Sequence, residues 1–157
     1  MSTIIGDWRR KIIVTDSQVS DDDSDTKNFQ NEKVFRVPQG LLAGAGDFIS
    51  IQQVVDYFME GKKGKPPVIK DADDADFMLL SHDGLYVSGK DLRFQKIPTY
   101  EVLGSGSLGA LAVLALGHTA EEACWAACRS DLYSGGDVKV YALDKEKPET
   151  YIHALQK

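Results

Sequence analysis

Ser2-Thr3-Ile4-Ile5-Gly6-Asp7-Trp8-Arg9-Arg10-Lys11-Ile12-Ile13-Val14-Thr15-Asp16 is the stretch from which the rest of the chain is read. Thr3-Ile4-Ile5 and Lys11-Ile12-Ile13-Val14-Thr15 are rich in β-branched residues and read as two strands. Asp7-Trp8-Arg9-Arg10 is short enough to join them as a hairpin. The first residue adds a chemical possibility. A small second residue such as Ser2 normally permits removal of Met1, which would leave a hydroxyl and a free α-amine on one residue. A serine hydroxyl is a weak nucleophile and needs a base beside it. An α-amine, with an ordinary pKa of roughly 7.7–8.0, can be that base. Met-Ser is also a common start, so the weight falls on what the remaining residues supply.

Outward from the hairpin, residues 18 to 32 are polar and without period, a loop. Lys33-Val34-Phe35-Arg36-Val37 alternates as a strand, Pro38-Gln39-Gly40 turns, and Leu41-Leu42-Ala43 is a strand ending in Gly44-Ala45-Gly46. Over residues 47 to 60 the apolar residues Phe48, Ile51, Val54, Val55, Phe58 and Met59 fall at helical spacing. Gly61-Lys62-Lys63-Gly64-Lys65-Pro66-Pro67 ends that helix. Phe77 to Leu80 and Gly84 to Ser88 read as a strand pair around His82-Asp83-Gly84, and Phe94 to Pro98 as a further short strand. Val102-Leu103 runs into the turn Gly104-Ser105-Gly106. A helix of small residues from about Ser107 to Leu116 is closed by Gly117. Thr119 and Glu122 form a capping-box pattern for a helix to about Ser130. Ser134-Gly135-Gly136 turns into a strand, Val138 to Tyr141, and the charged end after it reads as fraying. The order β-β-β-β-α-β-β-α-α-β suits an α+β class: two antiparallel sheets packed together with helices outside, as one domain over residues 2–157.

The chain has 157 residues, 43% hydrophobic and 27% charged, enough to bury a sizeable core. A net charge of −6 without a basic stripe argues against nucleic acid or an anionic membrane as a partner. Asp21-Asp22-Asp23-Ser24-Asp25 lacks the glycine and later glutamate of a calcium loop and reads as a solvated loop. No apolar run reaches membrane-spanning length, and Asp7, Arg9 and Arg10 stand where a signal peptide would be apolar, so a cytoplasmic protein is expected. His82, His118 and His153 are scattered and give no metal-ligand spacing. Cys124 and Cys128 are four apart on a helix, a spacing for core packing rather than an unstrained disulfide.

With this order in place, the chain resembles proteasome β-type subunits, including the bacterial HslV peptidase, which are N-terminal-nucleophile hydrolases. Ser2-Thr3-Ile4-Ile5 is similar to the family's Thr-Thr-Ile-Val start. Val14-Thr15-Asp16-Ser17 ends the second strand where the family keeps an aspartate. Lys33-Val34-Phe35-Arg36 matches its lysine-bearing strand. Leu42-Ala43-Gly44-Ala45-Gly46-Asp47 matches its glycine turn, and Leu103-Gly104-Ser105-Gly106-Ser107 its Gly-Ser-Gly turn. Ser130-Asp131-Leu132-Tyr133-Ser134-Gly135-Gly136 is similar to its Arg-Asp-Ala-Tyr-Ser-Gly-Gly. Each motif is weak alone; six in order are not.

The resemblance implies a four-layer αββα sandwich. It implies that Ser2 attacks an acyl carbon while its own α-amine moves the proton, without metal or cofactor. Lys33 would lower the effective pKa of the hydroxyl, Asp16 would orient Lys33, and Gly46 would offer its N–H to the oxyanion. Ser105, Asp131 and Ser134 would support the terminal amine. Val19, Asn31, Phe35 and Ala45, with a residue near Ile49, would line an apolar pocket of modest size, suiting cleavage after small or medium apolar residues. Peptide or unfolded protein would be the substrate. The chain would form a homo-oligomer of rings of about six or seven subunits, single or stacked.

Three departures from the family stand out. Ser2 replaces the usual threonine and lacks the methyl that restricts the rotamer. One helix is missing after the glycine turn, which puts an ATPase unfoldase partner in doubt. Nothing precedes Ser2 except Met1, so maturation would need an aminopeptidase. Two other readings remain open from sequence: an N-terminal-nucleophile amidase acting on small amides, and an inactive shell or interaction protein of the same fold.

Overall fold

A computed structural model of the chain describes residues 2–18, 32–70 and 74–151. Strands β1 (Ile4–Asp7) and β2 (Ile12–Thr15) form the opening hairpin, Ile4 opposite Thr15. The Asp7 carboxylate closes its turn by accepting from the Arg9 and Arg10 N–H groups at 3.0 and 3.3 Å. Strands β3 (Val34–Val37) and β4 (Gly40–Gly46) form a second hairpin, followed by helix α1 (Phe48–Met59). Then come β5 (Ala75–Ser81), β6 (Gly84–Ser88), β7 (Gln95–Ile97) and β8 (Tyr100–Leu103). Helices α2 (Ser107–Ala115) and α3 (Ala120–Ser130) precede β9 (Val138–Ala142) and β10 (Glu149–Tyr151). The strands make two five-stranded antiparallel sheets, β10-β9-β2-β1-β8 and β3-β4-β5-β6-β7.

Alternation along the strands feeds three apolar layers. Ile4, Ile13, Ala43, Met78, Leu80 and Tyr141 pack between the two sheets. Ile5, Ile12, Val14 and Val140 turn the other way, onto Ala110, Ala123, Cys124 and Ala127 of α2 and α3. Leu42, Phe77 and Leu79 turn outward from the second sheet onto Ile51, Val54, Val55 and Phe58 of α1. Three layers of side chains between four layers of backbone make the αββα sandwich. Its termini and loops differ in detail from the sequence reading. The charged end after β9 carries β10, a three-residue strand with no apolar alternation to announce it. Phe48 and Met59 are 61% and 54% exposed. They occupy the two ends of α1 and the edge of its buried arc, while Ser50 between them is buried. The capping pattern on α3 is half formed. Thr119 Oγ1 accepts from the Glu122 N–H at 3.2 Å, while the Glu122 carboxylate lies 2.7 Å from His118 Nδ1.

Helix α1 starts on Asp47, whose carboxylate accepts from both the Ser50 N–H and the Ser50 hydroxyl at 2.8 Å. These bonds, the backbone one first, hold its pKa below the ordinary carboxylate value. A depressed pKa stabilises the fold above the unfolded pKa, and the gain is lost as pH falls through the folded one. Asp47→Ala should therefore cost about 1 kcal/mol at pH 7. The gap from wild type should narrow below about pH 4. Urea unfolding of both proteins at pH 7 and pH 3 measures it.

Candidate functional site

The end of β2 carries Asp16, whose side chain is fully buried. A carboxylate removed from water must be given donors, and three are supplied. Oδ1 accepts from Lys33 Nζ at 2.7 Å and from the Thr3 N–H at 2.9 Å. Oδ2 accepts from the Gly135 N–H at 3.0 Å. Lys33 is itself buried and enters from the start of β3, so this ion pair ties the two sheets together. Thr3 N and Lys33 Nζ share one oxygen, which sets the ammonium beside the backbone one residue from Ser2. The Asp16 N–H donates to Thr3 O at 3.3 Å, carrying the β1–β2 ladder toward Ser2. Strand alternation from Ile4 assigns buried Ser2 to the side between the sheets and Thr3 to the side of α3.

A second network occupies the α3 side. Ser105 Oγ and Ser134 Oγ both donate to Asp131 Oδ2 at 2.6 Å. Ser134 has then spent its one proton, so the Thr3 hydroxyl is the donor in the 2.7 Å bond between Thr3 Oγ1 and Ser134 Oγ. Thr3 thus joins Asp16 and Lys33 on one side to Ser134, Asp131 and Ser105 on the other. The Gly-Ser-Gly turn is shaped to fit against this segment. A Cβ on Gly104, where φ is +95°, would sit 1.7 Å from the Ser2 carbonyl oxygen. One on Gly106 would sit 1.9 Å from Thr3 Oγ1. Both glycines let the turn close on the first residues of the chain.

Gly46 ends β4 with φ +117° and is exposed. A Cβ there would lie 2.0 Å from the Asp74 carbonyl oxygen, which also accepts from the Asp47 N–H at 2.7 Å. Glycine is thus required by the turn itself, whatever its N–H does. Among the expected pocket residues, Val19 and Asn31 lie outside the described residues. Phe35 and Ala45 do not share a wall. The β3–β4 register sets Phe35 opposite Leu42 and Val34 opposite Ala43. Phe35 packs under α1 and Ala45 packs between the sheets. Gly44, on the α1 side, faces Ile51, and Ile49 is largely exposed. Cys124 is buried, and its hydrogen bond to the Cys128 thiol, together with burial, pushes its pKa well up. It stays a protonated thiol in the core and is unsuited to nucleophilic work.

Sequence reading gave Thr3 no role beyond its strand and Gly135 none beyond its turn. The signal for Thr3 was present in the two-residue period, since a residue flanking Ser2 must face the opposite side of the sheet. Gly135 acts through its backbone N–H, which no side chain announces.

Neither a family model nor a curated protein matches the sequence. Solved structures do match. Thiobacillus denitrificans BPH in complex with epoxomicin superposes with a TM-score of 0.70 at 17% identity, covering 91% of this chain and all (100%) of that one. HslV from Trypanosoma brucei gives 0.68 at 16% identity, covering 88% of this chain and 97% of that one. The Thiobacillus denitrificans BPH structure gives 0.65 at 18%, covering 92% and 99%. The chain has the HslV-like, proteasome-type peptidase fold. Its two sheets, flanking helices and opening hairpin are the parts of that fold described above.

Within this HslV-like fold the Asp16–Lys33 pair is a stability test as well as a site. Removing one partner of a buried pair leaves the other charge uncompensated. Asp16→Ala should lower unfolding free energy by about 3–5 kcal/mol. Asp16→Leu combined with Lys33→Met should recover part of that loss. Equilibrium urea unfolding of wild type and the two variants gives both numbers.

Proposed function

We propose that this chain is a proteasome-like peptidase that uses Ser2, freed of Met1, as an N-terminal nucleophile. The observation that carries the reading is the shared oxygen of Asp16, which holds the Lys33 ammonium and the Thr3 amide together beside Ser2. The Ser2 α-amine takes the proton from Oγ as Oγ attacks the peptide carbonyl. The buried Lys33 charge favours the developing alkoxide, in surroundings where water screens it weakly. Gly46 N–H, on the exposed end of β4, is the donor we assign to the oxyanion. The amine then hands its proton to the leaving group, and the ester on Ser2 is hydrolysed by a water that the same amine activates. Ser105, Asp131 and Ser134 hold the segment carrying that amine through the Thr3 hydroxyl.

The likeness to HslV and to a chain captured with epoxomicin supports a peptide or unfolded-protein substrate. It also supports a homo-oligomeric ring, and we propose that the ring works in the cytoplasm. We propose that its substrate pocket favours small or medium apolar side chains. Hydrolysis of short fluorogenic peptides ending in such residues tests the reading. Ser2→Ala and Lys33→Ala should each lower kcat by about 10²–10⁴-fold. Unchanged turnover in Lys33→Ala would remove Lys33 from the chemistry. Turnover of simple amides but not of peptides would point instead to a small-amide hydrolase.

A further inference from the structure

Glu32, the residue before Lys33, is gripped by the opposite sheet. Its Oε2 accepts from the Tyr141 hydroxyl and its Oε1 from Lys139 Nζ at 3.1 Å. Tyr141 and Lys139 stand two apart on β9 and so project from the same face. The β2–β9 register sets Tyr141 opposite Ile13 and Lys139 opposite Thr15, the residue before Asp16. Two consecutive residues just before β3 therefore hold two neighbouring strands of the other sheet. Lys33 holds the end of β2 through Asp16, and Glu32 holds β9.

The two contacts on Glu32 are unequal. Lys139 with a half-exposed carboxylate is a pair worth little by itself. Tyr141 is different. Its ring is packed between the sheets with Ile13, Leu80 and Leu143, so its hydroxyl has a fixed position. Burial, then the bond to Glu32, hold the phenol pKa above its ordinary value. The phenol thus remains a donor through neutral pH. A carboxylate with one donor on each oxygen is fixed in orientation.

We infer that Glu32, anchored by Tyr141 and Lys139, is a positioning residue that sets the backbone from which Lys33 reaches Asp16. Its consequence for turnover rests on the role proposed above for Lys33; its consequence for the Lys33 side chain does not. The role inferred for Glu32 is exerted through Lys33 rather than by contact with a substrate or by proton transfer.

Tyr141→Phe tests this with the ring kept in the core, and Glu32→Ala removes both contacts. Two readouts are needed: steady-state peptide hydrolysis, and the proton–nitrogen NMR signal of the Lys33 side-chain ammonium, assigned by its loss in Lys33→Ala. Both variants should lower kcat about 10- to 100-fold, the scale of a misplaced catalytic group, with KM changed less than about twofold. Both should shift or broaden the Lys33 signal, and Glu32→Gln should restore part of each. Neither should lower turnover further when added to Lys33→Ala. Unchanged kcat with an unchanged Lys33 signal in Tyr141→Phe overturns the inference, as does a loss additive with Lys33→Ala. If wild type hydrolyses no peptide, the peptidase reading falls and the Lys33 signal alone decides. A shift in Tyr141→Phe sustains the positioning role and an unchanged signal removes it. If Glu32→Ala does not fold, Tyr141→Phe carries the test.

Discussion

One buried carboxylate organises this molecule. Asp16 has been taken out of water, and the desolvation of a lone carboxylate would cost several kcal/mol. The fold offsets that cost with a cation from the second sheet, an amide from β1 and an amide from the turn before β9. Each donor comes from a different part of the chain, so the two hairpins and the α3–β9 turn must all be in place together. The same requirement that makes Asp16 tolerable also brings Lys33, Thr3 and Gly135 to one point. Structure and candidate chemistry therefore share a single constraint. Removing Asp16 would damage both.

Much of this was legible in the sequence because it depends on local rules. The β-branched runs on either side of Asp7–Arg10, the change of period after Gly46, and the small-residue helix after Gly106 each announce their element. The order of hairpins and helices then leaves few ways to bury all the apolar faces, and the four-layer sandwich is one of them. What the sequence hid depends on register or on backbone groups. Phe35 and Ala45 look like neighbours in a pocket until the β3–β4 register turns them to opposite faces. The close fits of Gly104 and Gly106 appear only once β1 lies beside β8, and the Gly135 N–H contact only once the α3–β9 turn meets the end of β2. Glu32 and Tyr141 are separated by 109 positions, and neither has a local pattern that names the other. The three residues of β10 are too few and too polar to mark a strand.

The glycines connect the fold to the site. Gly104 and Gly106 stand where any side chain would collide with Ser2 or Thr3, so their small size is a condition for closing the turn on the start of the chain. That closure places Ser105 to bond Asp131, and Asp131 to hold Ser134 against Thr3. The network is continuous: every hydroxyl in it has a carboxylate or another hydroxyl to donate to. Such fully satisfied polar networks are rigid, and this one fixes the segment that carries Ser2. The network and the Asp16 cluster meet at Thr3 and again at the Ser134–Gly135 peptide, and Thr3 joins the two through its side chain and its N–H.

The most direct measurement is the intact mass of the protein before and after exposure to a peptide epoxyketone. That reagent forms its ring adduct only where a nucleophilic hydroxyl and a free α-amine lie on the same residue. An N-terminal nucleophile at Ser2 predicts loss of Met1 and one adduct per chain, mapped to Ser2 by fragmentation. A retained Met1, or a free Ser2 that takes up no reagent while the protein is folded, would contradict it.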